Sequence, residues 1–276
     1  MNEPRVYKQP VFGVFLAVFM LLFAGAIIFF TLDNFDINIL WFLIPILGLF
    51  GLIFLSALFS FTSKVIITDD DITSQVLFIP KTLKWGEISH VSGRGNSIKL
   101  HNYDGDITVS PNSRIPSYPE IIEIIGEKRP DLFKLTEDNS EMSRGLFSNL
   151  FGALVGISLI FLGIFIYFVV DSTDIFPIIM TAIAGVFFLG TSLTAVQKVT
   201  LQGNTMLVKY IFSQKEIKAE EIRNIFYGFT QTRRGGKNYF VQISYGNNQN
   251  FRISGVNLSL PIAYLVLKNW HKQYIN

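Results

Sequence analysis

Four stretches of this chain carry no charged residue: 11–32, 37–61, 146–170 and 175–196. A bilayer core about 30 Å thick needs roughly 20 apolar residues in helical form to cross it. Each stretch is long enough, so the sequence predicts four transmembrane helices in two hairpins. A chain of 276 residues cannot build a soluble core that buries four such helices. The first stretch has one other reading, a cleaved signal peptide, because Arg5 and Lys8 precede it and Ala24, Gly25 and Ala26 resemble a cleavage site. The apolar run continues beyond that point through Phe30, which favours a span.

Charge sets the expected orientation. The linkers around Asp33 and Asp36, and around Asp171 and Asp174, contain no Lys or Arg. Basic residues flank the other ends, so the positive-inside trend places both termini and both soluble segments in the cytoplasm. The expected organisation is a cytosolic tail (1–10), a hairpin (11–61), a soluble domain (62–145), a second hairpin (146–196) and a second soluble domain (197–276). The chain has no cysteine, which excludes disulfides, thiolate metal sites and cysteine nucleophiles.

The order hairpin, domain, hairpin, domain suggests an internal repeat. At an offset of 134 residues, Lys64, Val65, Phe78, Lys81, Lys84, Glu87 and Ile88 match Lys198, Val199, Phe212, Lys215, Lys218, Glu221 and Ile222. Within the soluble segments, short runs at 64–68, 72–79, 82–91, 97–102 and 106–110 read as strands. Asp104-Gly105 marks a hairpin turn, and 118–127 repeats isoleucines at helical spacing. The second segment reads as strands at 198–202, 206–212, 216–229, 239–245 and 250–253, then a helix over 260–274.

A run of antiparallel strands ended by one helix suits a small barrel plugged by that helix. The run from Lys64 through Asp69, Asp70 and Asp71 to Ile72 belongs to a pattern that continues through Leu83, Lys84, Trp85, Gly86, Glu87 and Ile88. The helix beginning Tyr118, Pro119, Glu120 completes it. In these residues the chain resembles the bacterial pleckstrin-homology-like family of small membrane proteins. The second copy keeps Ile217, Lys218, Glu221 and Ile222 but has Ala219 in place of Trp85. The resemblance covers both soluble segments. It implies an α+β membrane protein of the bacterial plasma membrane with two small barrels, acting as a binding or scaffold module without enzymatic activity or cofactor.

The residues themselves offer no catalytic signature. His90, His101 and His271 lack metal-ligand spacing, and no nucleophile elbow or phosphate-binding loop occurs. Asp69, Asp70 and Asp71 read as a turn between strands in preference to a cation site, so no metal is expected. The apolar stretches lack ionisable groups, which argues against charge-coupled transport.

Two sets of residues stand out. Gly152, Gly156 and Gly163, with Gly13 and Ala17, form small-residue faces that let helices approach closely. Their uses are packing within the helix set or homo-oligomerisation. The second set is basic. Segment 62–145 holds 10 basic and 13 acidic residues, whereas 197–276 holds 11 basic and 3 acidic. Arg233, Arg234 and Lys237, with Arg223 and Lys218, form the candidate binding residues. Each cation near an anionic leaflet contributes on the order of 1 kcal/mol. The expected partners are the bilayer and its anionic headgroups, or an acidic protein surface, including the acidic sister domain. Nucleic acid is not expected. The sequence therefore points to a membrane-anchored binding or scaffold protein, with an oligomeric small-solute permease or channel subunit as the alternative.

Overall fold

The computed structural model describes residues 4–9, 15, 18–26, 45, 48–52, 54–55, 62–76, 78–169, 175–232 and 236–275. The described residues fall into two compact units. The first comprises Met1–Val91 and Lys99–Ile124, the second Ser92–Ile98 and Ile125–Asn276.

In the first unit, strands β1 (Arg5–Lys8), β2 (Lys64–Ile67), β3 (Asp71–Val76) and β4 (Ile79–Lys84) form one antiparallel sheet in that order. Alternation explains the pairing. In β2, Val65 and Ile67 are buried while Lys64 and Ile66 are not, so one face of a period-two strand covers the core. A second sheet contains β5 (Ile88–Ser92), β6 (Lys99–Asn102) and β7 (Thr108–Val109). Helix α1 (Tyr118–Lys128) follows, and the division between units falls within it, after Ile124. Tyr118, Ile121 and Ile122 are fully buried along its inner face, as their helical spacing requires.

Strand β1 comes from the segment that the sequence marked as a tail. Val6 pairs with Ile66 and Lys8 with Lys64. Tyr7 fixes it further, because its hydroxyl donates to Glu120 Oε1 at 2.8 Å. Partial burial and that carboxylate push the Tyr7 phenol above its ordinary value.

The second unit repeats the arrangement of strands. Its first sheet consists of β8 (Glu141–Ser143), β9 (Lys198–Gln202), β10 (Thr205–Lys209) and β11 (Gln214–Lys218), with β8 and β11 at the edges. Its second contains β12 (Ile222–Gln231), β13 (Lys237–Tyr245) and β14 (Gln249–Ile253). Asp71 faces Lys84 in the first unit, and Thr205 faces Lys218 in the second, both at the 134-residue offset. Between β8 and β9 run helices α2 (Leu146–Val169) and α3 (Phe176–Thr194). Helix α4 (Leu260–Ile275) ends the chain, with Ala263, Val266, Leu267 and Trp270 buried.

This corrects the expected fold class of four transmembrane helices and two barrels, each closed by a helix. Among the described residues, two helices are long and apolar enough to cross a membrane, Leu150–Phe168 and Phe176–Thr194. The expected spans at 11–32 and 37–61 lie largely outside the described residues. Among the described residues the strands form four antiparallel sheets, not two barrels. The physical reason lies at two one-turn 3-10 helices, Trp85–Glu87 and Ala219–Glu221. Each interrupts what reads in sequence as one long strand, at 82–91 and 216–229. The chain turns there from one sheet into the next, and the hydrogen-bond ladder does not run around.

Candidate functional site

The small-residue face resolves into a contact within the second unit. A Cβ added to Gly156 would sit 2.9 Å from the carbonyl oxygen of Gly185, and one added to Gly185 would sit 2.8 Å from that of Gly156. Added carbons on Gly152 and Gly163 would meet Ser192 and Thr181. These glycines therefore bring α2 and α3 of one chain into backbone contact. Gly185, on the facing helix, is an equal member of this contact that sequence spacing did not single out. The Thr181 hydroxyl is spent inside its own helix, where Oγ1 donates to Ile178 O at 2.9 Å. Gly13 and Ala17 lie outside the described residues.

The five basic candidates are not gathered into one patch. Lys237 opens β13 next to Gly236, and its Nζ rests 4.6 Å from the centre of the Phe229 ring. Burial pushes the Lys237 ammonium below its ordinary value. Arg233 and Arg234 lie outside the described residues. Arg223 sits at the opposite end of β12, where its Nη1 donates to Asn248 Oδ1 at 3.4 Å. Lys218 ends β11. At roughly 3.3 Å per residue, the length of β12 separates Arg223 from the Lys237 end by about 25 Å.

The Arg223 end holds a better-built cationic group, one that the sequence did not reveal. Lys215 Nζ donates to Tyr245 Oη at 2.9 Å and to Gln249 Oε1 at 2.6 Å. It lies 4.5 Å from the centre of the Tyr245 ring. The β13–β14 turn makes this possible: Gly246 adopts φ 52° and Asn248 φ 62°, and the Gly246 N–H donates to Glu221 O at 3.0 Å. Left-handed residues fold the ribbon tightly enough to bring Gln249 and Tyr245 to the same ammonium. Tyr210 stands near the same group, its phenol held above the ordinary value by burial and by Tyr245.

Lys215 also stands one residue from the end of the sheet where the chain joins its apolar helices, since Lys209 pairs with Gln214. Arg144 N donates to Gln197 O, and Gln197 N to Lys209 O, both at 2.8 Å. That hydrogen-bonded row crosses three adjacent segments. Helix α2 begins at Leu146 just after it, and α3 ends at Thr194 just before it. Lys198 and Glu141 form an ion pair of 2.6 Å beside the row.

The remaining candidates have structural surroundings. His90 and His101 stack at 4.5 Å, and His271 Nε2 lies 2.9 Å from Ile222 O. Asp69, Asp70 and Asp71 occupy the β2–β3 turn, where Thr68 Oγ1 accepts from the Asp71 N–H at 3.0 Å. Among the described residues no group of three or more His, Cys, Asp or Glu is placed to hold a metal ion. The chain matches no protein-family model and no curated protein, so neither comparison bears on the pleckstrin-homology-like resemblance.

Proposed function

We propose that the protein is a membrane-anchored binding protein without a catalytic centre. In this reading α2 and α3 cross the bilayer, and the β-sheets and both termini lie on the cytoplasmic side. The cationic end of the second unit, built on Lys215 and Arg223, contacts anionic lipid headgroups. The observation that carries the reading is the pairing of β8 with β9, Met142 opposite Val199, across an apolar helical hairpin. The hairpin is inserted between two neighbouring strands of one sheet. The sheet is thereby tied to the helix ends by two short connections and held at the bilayer surface. The basic composition of 197–276 supports an anionic ligand, and the linker around Asp171 and Asp174, free of Lys and Arg, supports the orientation.

Hydrogen exchange of the full chain tests this, in nanodiscs of phosphatidylcholine with and without phosphatidylglycerol. Anionic lipid is expected to slow exchange at 209–215 and 245–249, and salt to reverse the effect. Equal exchange in both discs, or slowing confined to 232–237, overturns the assignment.

A further inference from the structure

The row that links Arg144, Gln197 and Lys209 marks the level at which the sheet meets its helices. One segment projects past that row on the helix side. It is the turn between β10 and β11, closed by a hydrogen bond from Tyr210 N to Ser213 O at 2.8 Å. Its tip is apolar and uncovered: Phe212 is 82% exposed and Ile211 is exposed beside it. A turn between two surface strands ordinarily carries Gly, Asn, Asp, Ser or Pro, because those residues satisfy turn geometry and water together. Here the turn places its largest apolar side chains where none of the unit's described residues covers them.

The same choice recurs in the first unit. The turn between β3 and β4 lies at the end of the sheet where the chain leaves at Lys8 and returns at Lys64, since Lys64 pairs with Gln75. Phe78 there is 76% exposed, with Ile79 also exposed. Its backbone lies at φ 69°, a left-handed conformation that bulky residues seldom adopt. A phenylalanine that is both exposed and backbone-strained is costly in water, and Phe78 and Phe212 occupy matching positions in the two sheets. Strain of this kind concentrates at functional segments.

We infer that the β10–β11 turn is an interfacial anchor, with Ile211 and Phe212 seated at the boundary between headgroups and acyl chains of the bilayer that α2 and α3 cross. The inference rests on the membrane-anchored reading above. The occupant follows from what surrounds the tip. Both helix ends adjoin the same row, so the tip lies at the depth where the helices leave the apolar layer. Tyr210 follows the preference of aromatic residues with a polar end for that layer. Lys209 stands behind the tip, in the row itself, where its long stem lets the ammonium group reach headgroup phosphates.

The absence of cysteine provides a direct test. Full-length Phe212→Cys takes a single bimane label, as do two controls. Asn204→Cys labels the β9–β10 turn at the opposite end of the same sheet, and Phe161→Cys labels the exposed face of α2. Each protein is reconstituted into phosphatidylcholine–phosphatidylglycerol vesicles. The quenchers are a phospholipid with a nitroxide high on its acyl chain and aqueous iodide. The label at 212 is expected to lose most of its emission to the lipid nitroxide and little to iodide, with the reverse at 204. If the label at 212 responds as that at 204 does while the label at 161 is quenched by lipid, the anchor is overturned and the membrane reading stands. If iodide quenches both 212 and 161 and lipid quenches neither, the membrane reading itself falls. Shielding of 212 from both quenchers places the tip against protein and also overturns the proposal.

Discussion

The indole N–H of Trp270 donates to the carbonyl oxygen of Gly203 at 2.8 Å, linking helix α4 to the β9–β10 turn. In the first unit the corresponding turn receives its indole from a different place: Trp85 Nε1 donates to Thr68 O at 3.2 Å. Ala219 stands where Trp85 would be, and its N–H donates to Asn204 O at 2.8 Å, just as Trp85 N donates to Asp70 O at 3.0 Å. The backbone contact is kept while the ring comes from the terminal helix. Trp270→Phe removes the donor, and because Gly203 is exposed its carbonyl can turn to water, so the loss is the net hydrogen-bond contribution of about 0.5–1.5 kcal/mol. Trp270→Ala adds a cavity, for a total of about 3–5 kcal/mol. Denaturant unfolding of the full chain in detergent, followed by near-ultraviolet circular dichroism, measures both.

Gly156 and Gly185 meet backbone to backbone, so a larger side chain at either position forces α2 and α3 apart. Gly156→Leu is expected to lower the thermal midpoint of the detergent-solubilised protein. Gly190→Leu is expected to leave it unchanged, because nothing lies within 4 Å of an added Cβ there. Equal effects at the two positions would contradict the packing described.

Met142 on β8 is fully buried although it precedes the helical hairpin in sequence. Met142→Ala is expected to cost about 2–5 kcal/mol and to raise hydrogen exchange along β9, its hydrogen-bonded neighbour. Unchanged protection of β9 would mean that β8 does not complete the sheet.

Burial pushes the Tyr239 phenol up to about 12. A raised folded value favours the neutral form, so this contribution is fully present below pH 10, the ordinary tyrosine value, and is lost as pH rises toward 12. Tyr239→Phe is expected to flatten the stability profile in that alkaline window, read as the midpoint of denaturant unfolding at each pH.

His101 shows the opposite case. Burial, with His90 and Lys99 nearby, depresses its imidazolium below the ordinary 6.5. Its contribution is present above that value and is lost as pH falls through the depressed one. Substitution by Gln is expected to reduce the acid sensitivity of the first unit, measured by unfolding across pH 7 to pH 5.

Periodicity carried much of the fold to the surface of the sequence. The isoleucines of α1 and the alternation of Val65 and Ile67 follow from burial on one face, and the uncharged runs of α2 and α3 are long and apolar enough to cross a membrane. What stayed hidden depends on contacts between distant residues. Arg5–Lys8 and Glu141–Ser143 are short and mostly polar, and only pairing with β2 and β9 makes them strands. The 3-10 turn at Trp85–Glu87 has no residue that demands it, since Glu220 fills the place of Gly86 in the matching turn, and the strand-like residues on both sides masked it. Of the described basic candidates, Lys237 and Arg223 fall near opposite ends of β12, which only the strand pairing reveals. Lys215 looked ordinary because its partners, Tyr245 and Gln249, are set by a turn far along the chain.

The insertion of a helical hairpin between β8 and β9 also dictates an order of assembly. During synthesis β8 leaves the ribosome before both helices and must wait, with no neighbouring strand, until β9 follows them. If α2 and α3 enter a bilayer as proposed, closing this sheet reports that both have been inserted and returned to the same side. A hairpin that fails to return would leave the edges of β8 and β9 open on opposite sides of the membrane, where unpaired strand edges invite aggregation. The connectivity would then make the soluble fold a checkpoint on membrane topology.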